Sequence, residues 1–179
     1  HRGRSLKMSD ELCEAARWGN LNKVKKLLQD EKNVVGDALR AALWCVDSED
    51  DYGVESDHLP NPNPYKTVEL LLLHGADVHA HDGEALAWAS RRDLTEVVRL
   101  LLSYGADVHA ENDRALFWAS LCGYVGVVEL LLSHGADVHA ENDRALIWAS
   151  KNGRIDVVKL LLSHGANVHA ENDKIGVVA

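Results

Sequence analysis

Ten histidines among 179 residues raise metal binding first. Four of them, His79, His109, His139 and His169, recur every 30 residues inside the blocks 75–80, 105–110, 135–140 and 165–170, which read Gly-Ala-Asp-Val-His-Ala, with Asn for Asp in the last. Zinc holds nitrogen ligands ~2.0–2.1 Å away. Imidazoles that recur once per stacked helical unit stand ~8–10 Å apart, too far to share an ion. His74 and His79-x-His81 lack a fixed fourth ligand. The expectation is no metal, each histidine hydrogen-bonding its own turn. Cys13, Cys45 and Cys122 are odd in number and not at metal-ligand spacing, which suits reduced thiols in a cytoplasmic setting. No glycine-rich phosphate loop or nucleophile motif occurs, so neither enzymatic activity nor a cofactor is expected.

Two further clusters invite binding. Segment 46–63 carries Asp47, Glu49, Asp50, Asp51, Tyr52, Glu55 and Asp57 with no Lys or Arg, then Pro60 and Pro62, with Pro64 just beyond it. Its acidic residues lack the ligand spacing of a calcium loop. It reads either as an acidic docking arm for a basic partner or as a tolerated surface insertion. Trp88, Trp118 and Trp148 form a 30-residue ladder, suited to bridging adjacent repeats or to a contact strip on a concave face.

A fixed period of this length means one supersecondary unit stacked on copies of itself. Within each copy, a small apolar segment such as Ala115, Leu116 and Ala119 predicts one helix. Val128, Leu131 and Leu132 at i, i+3, i+4 predict the amphipathic second. Gly123 and Gly153 end the first helix, and Gly105, Gly135 and Gly165 the second. Asp113 and Asp143 precede the first helix at N-cap positions. Residues 1–8 read as a tag remnant with a native start at Met8. Residues 9–179 read as one repeat domain, its copies at about 9–35, 36–80 (with the insertion 46–63), 81–110, 111–140 and 141–170, with a partial copy at 171–179.

The motif Leu-Leu-x-x-Gly-Ala-Asp-Val-x-Ala, preceded by Gly-x-x-x-Val-Val, resembles that of ankyrin repeat proteins. The resemblance implies an all-α ankyrin-repeat solenoid of helix-turn-helix units. Arg-Ala-Leu-Phe (114–117) and Arg-Ala-Leu-Ile (144–147) replace the family's Thr-Pro-Leu-His. Three residues are missing just before them, so the β-hairpin fingers are expected to be truncated to stubs or turns. The 30-residue form with Ala-Leu-x-Trp-Ala-Ser also resembles arrays of giant DNA viruses of protists, which would place the protein in a host cytoplasm. In the resembling family the concave groove is the usual contact surface for another protein. Positions that differ between copies here, Ala87, Phe117 and Ile147, and Arg91, Arg92, Leu121 and Lys151, with Arg114 and Arg144, are the candidate groove residues. The family's turn is also a target of Fe(II)/2-oxoglutarate hydroxylases, and the spacing from Leu101 to His109 and from Leu131 to His139 fits.

The net charge of −9 argues against nucleic acid, which rewards clustered cations. No apolar run approaches the ~18 residues of a membrane helix. The expected function is therefore a monomeric scaffold that binds another protein. The alternatives are self-assembly by end-to-end stacking through the C-terminal repeat, or an adaptor for a degradation complex.

Overall fold

The computed structural model describes residues 8–30, 36–43 and 64–169. Segment 46–63, with Asp47, Glu49, Asp50, Asp51, Tyr52, Glu55 and Asp57, lies outside the described residues. Contacts divide the chain into two compact units, residues 1–81 and 82–179.

In the first unit, α1 (Met8–Arg17), α2 (Leu21–Asp30), α3 (Gly36–Leu43) and α4 (Tyr65–Leu73) form two helical hairpins. α1 packs on α3, and α2 on both α1 and α4. Leu12, Ala16, Val24, Leu39, Val68 and Leu71 are buried between them. Asn20 starts α2 as a side-chain cap, its Oδ1 accepting the Lys23 N–H at 3.1 Å. Past α4, the His81 imidazole lies 2.6 Å from the Asp37 carboxylate on α3.

Among the described residues, the second unit holds three hairpins: α5 (Glu84–Arg91) with α6 (Thr95–Ser103), α7 (Ala110–Cys122) with α8 (Val125–Ser133), and α9 (Ala140–Lys151) with α10 (Ile155–Ser163). The inner helices α5, α7 and α9 pack side by side, as do the outer helices α6, α8 and α10. Alanines dictate the inner contacts: Ala89, Ala119 and Ala149 are fully buried, and their small side chains let the helices approach closely. Leu101, Leu131 and Leu161 fill the space between layers. Each such leucine contributes about 1.5–3 kcal/mol by leaving water.

Each outer helix ends in the same paired hydrogen bonds. In α6 the Gly105 N–H donates to Leu102 O and the Ala106 N–H to Leu101 O, both at 3.0 Å. This double cap needs a left-handed residue between, and Gly105 takes φ 85°. The inner-to-outer turn places Gly123 at φ 89°, where a Cβ would also meet Arg154 Cδ at 2.7 Å.

Among the described residues there is no strand. The truncated fingers are single left-handed turns: Glu111, Asn112 and Asp113 take φ of 50°, 58° and 57°, and Glu141, Asn142 and Asp143 repeat the pattern. A left-handed conformation costs an L-residue about 1–2 kcal/mol, least for Asn and Asp. Something must hold these turns in place.

Candidate functional site

What holds them is a buried carboxylate. Asp113 and Asp143 are buried, and each accepts a backbone N–H from the following repeat: Asp137 N–H to Asp113 at 2.8 Å, and Asn167 N–H to Asp143 at 2.7 Å. The histidine four residues before each supplies a second donor. A carboxylate can only accept, so His109 Nδ1–H donates to Asp113 at 3.2 Å and His139 Nδ1–H to Asp143 at 3.0 Å. The expected N-caps are thus ties between repeats, because the left-handed backbone turns each side chain sideways rather than back onto its own helix. In the preceding turn Gly83 stands at the cognate position, without a carboxylate.

The other histidines serve the helix ends. His74, His134 and His164 each donate through Nδ1 to the carbonyl four residues earlier, Leu70, Leu130 and Leu160, at 2.8–2.9 Å. The ladder histidines also present their backbone N–H to Asp77, Asp107, Asp137 or Asn167 two residues before, at 2.8–2.9 Å. Among the described residues no three His, Cys, Asp or Glu side chains converge as a metal site.

The inner helices present a different arrangement. The Arg91 guanidinium on α5 lies 4.4 Å over the Trp118 ring of α7. Trp118 meets Phe117 with ring centroids 5.1 Å apart, tilted by 57°. Arg144 on α9 lies 4.1 Å over the other aromatic, Phe117. These four side chains make one continuous row, cation–aromatic–aromatic–cation, across three helices. Each cation–aromatic contact contributes about 0.5–1 kcal/mol at such partly exposed sites. Stacking also holds each arginine in one geometry before anything binds. Arg114 and Arg144 are further held by ion pairs to Glu111 and Glu141.

Around this row the sequence candidates separate. Phe117, Trp118, Leu121, Ile147, Arg91, Arg92 and Arg114 are half-buried, while Arg144, Lys151 and Trp148 are exposed. Ala87 is a correction: at 4% exposure it packs between inner helices and offers no surface to a partner. Trp88, also 4% exposed, is a packing residue, whereas Trp148 is 41% exposed with Lys151 Nζ 5.5 Å over its ring. One ladder thus grades from core to surface.

At the C-terminal end of α7, Arg154 donates from Nε to Leu121 O at 3.2 Å and so crosses to the neighbouring inner helix. Cys122 sits there half-buried. Burial pushes its thiol above the ordinary thiol range, and Arg91, Arg154 and a hydrogen bond with Tyr124 pull it part of the way back. Burial likewise raises the Tyr124 hydroxyl, with Cys122 and Asp93 adding to the rise.

Sequence reasoning missed the row and the carboxylate ties. A signal existed: Arg91–Trp118 and Phe117–Arg144 are both 27 residues apart, one repeat less a helical turn. The ties are both 24 residues apart. Constant offsets of this kind are what stacked copies impose.

Residues 59–142 match the family model described as Ankyrin repeats (3 copies), and residues 144–173 match that of the Ankyrin repeat. No curated protein matches the chain.

Proposed function

The chain belongs to the ankyrin repeat family, and from that premise we propose that it is a scaffold binding another protein through the inner-helix face of α5, α7 and α9. Ankyrin repeats are generally protein–protein interaction modules, typically without enzymatic activity. The observation that carries the reading is the row Arg91–Trp118–Phe117–Arg144. Aromatic and arginine side chains dominate binding hot spots, and these are already ordered, so a partner need not supply the entropy of fixing them. Arg91 and Phe117 also stand at positions that differ in every copy of the second unit, whereas Trp118 and the packing positions Leu86, Leu116 and Leu146 are identical in register. Identical positions serve the stack; varied ones on one face can encode a partner.

Affinity capture with wild-type protein and with Phe117→Ala tests this. The variant should lose partners that the wild type retains, with an unchanged circular dichroism spectrum. Retention of every partner would refute the face as the binding surface.

A second reading has its own support. Trp148, Ile155, Leu162 and Val168, on and after the last helical hairpin described, are exposed large apolar side chains. They favour stacking against another molecule. Light scattering separates the readings, since stacking makes the mass rise with concentration.

A further inference from the structure

Resting on the stacking reading, we propose that the exposed side of the α9–α10 hairpin pairs with the same side of a second copy of this chain, around a two-fold axis, to give a closed dimer. Register identifies the side. Ser120 and Val128 are fully buried, and Leu132 and Val138 are 9% and 7% exposed. Thirty residues on, Ser150, Val158, Leu162 and Val168 are half-buried or exposed, Leu162 at 37% and Val168 at 64%. Ile155, at 66%, stands where Val125 is half-buried. What covers the earlier set is the next hairpin, since α9 packs on α7 and α10 on α8. One repeat later the same kinds of side chain face outward, and removing them from water again is favourable.

The occupant follows from the opposite side of a hairpin, the one that meets a preceding repeat. Val127 and Val157, four residues after Gly123 and Gly153, are 0% and 1% exposed. Val157 stays buried although its hairpin is the last described, so this position lies against the hairpin before it. Four residues after Gly19 the first hairpin carries Lys23 instead, half-buried and 3.9 Å from Glu11. A head-to-tail stack would seal that ion pair under an apolar surface, and desolvating two charges can cost more than their attraction returns. Two apolar sides that meet each other carry no such cost. They also close, because both copies use one patch, whereas head-to-tail contacts repeat into a filament.

The charges at the rim suit that symmetry. Asp156 and Lys159 on α10 are both largely exposed and 3.8 Å apart. Lys159 lies one helical turn after Ile155, at the edge of the apolar side. A two-fold axis across the middle of α10 runs the two helices antiparallel. It brings Lys159 of each copy toward Asp156 of the other while each copy keeps its own pair, so four alternating charges close the rim. The net charge of −9 on each copy opposes association. At ~0.15 M ionic strength, exposed charges more than ~8 Å apart are largely screened, which leaves the local pairs to act.

A side one hairpin wide is smaller than the ~800 Å² per partner of tight complexes, so the dimer belongs in the micromolar to millimolar range. Sedimentation equilibrium of the full chain should show the mass rising from one copy at about 10 μM and levelling off at two copies by about 1 mM. Ile155→Glu and Val168→Glu, both at exposed positions and checked by circular dichroism, should each weaken the dimer at least about tenfold, since every substitution acts twice. Asp156→Lys should weaken it about threefold, and Asp156→Lys/Lys159→Asp should return it to within about twofold of wild type. Arg99→Glu, on the outer helix α6, should dimerise as wild type. A monomer throughout, the result if an unrelated protein or a later stretch of the chain takes this side, would overturn the proposal. So would a mass that keeps rising past two copies, or no recovery in the double variant. Growth past two copies that Ile155→Glu stops removes only the two-fold pairing and leaves the stacking reading standing. A dimer indifferent to both Ile155→Glu and Val168→Glu removes both.

Discussion

The Asp113 carboxylate accepts the Asp137 backbone N–H across the junction of two repeats, at 2.8 Å and at a buried site. This one bond links three levels of structure. A truncated finger forces Asp113 into a left-handed conformation, that conformation aims its side chain at the next repeat, and the next repeat's turn is fixed in return. His109 supplies the second donor from the carboxylate's exposed side.

Removing that carboxylate leaves the part-buried Asp137 N–H without its acceptor. Asp113→Ala should cost about 1–3 kcal/mol for this reason. Asp113→Gly loses the same bond but relieves the left-handed strain, so it should cost less than the alanine variant by up to about 1 kcal/mol. Urea titration followed by circular dichroism measures both. An alanine variant within about 0.5 kcal/mol of wild type, the usual range for an inconsequential surface change, would show that the tie contributes little.

Asp93 stands where the cognate turns place Gly123 and Gly153, and takes φ 56°. Its exposed side chain sits in a conformation that glycine adopts without cost. Asp93→Gly should therefore raise stability by about 0.5–1 kcal/mol, the strain relieved exceeding the entropy that glycine adds to the unfolded chain. A lower midpoint of thermal unfolding would contradict this.

The graded tryptophan ladder makes an ordered series. Trp88→Ala empties a core site and should cost about 3–5 kcal/mol. Trp148→Ala removes a side chain that is 41% exposed and should cost under about 1.5 kcal/mol, with Trp118→Ala between them. Chemical denaturation of the three variants gives the ranking. Equal losses would mean that all three indoles are equally enclosed.

The Cys122 thiol carries a pH signature. Its folded pKa is raised, so this group's contribution to stability is complete below the unfolded thiol's pKa and is lost as pH rises through the folded value. Alkylation by iodoacetamide, with Cys13 and Cys45 replaced by serine, should titrate above an ordinary thiol. Arg91→Ala removes the larger of the two arginine charges opposing the rise and should move the midpoint further up. A downward move would mean that Arg91 does not act on this thiol.

The helices were legible because their causes are local. Val98, Leu101 and their cognates at helical spacing, and Gly105 and Gly123 at the ends, are set by apolar periodicity and left-handed caps that a chain shows one residue at a time. The shortened fingers were legible too, since three missing residues cannot build a hairpin. Ala87 was misread because variation between copies signals exposure only where a side chain reaches the surface, and the close approach of α5 and α7 buries this one.

By itself, then, the sequence determined the repeat, its helical hairpins and its family, all consequences of spacing along the chain. Tertiary structure alone decided which side chains meet across repeats. It joined Asp113 to Asp137, laid Arg91 on Trp118 and Arg144 on Phe117, and sorted one tryptophan ladder into core and surface. The physical reason is that such contacts depend on the lateral offset between packed helices. That offset is set by the volume of Ala89, Ala119 and Ala149 and by the left-handed turns together, not by any one residue's own preference.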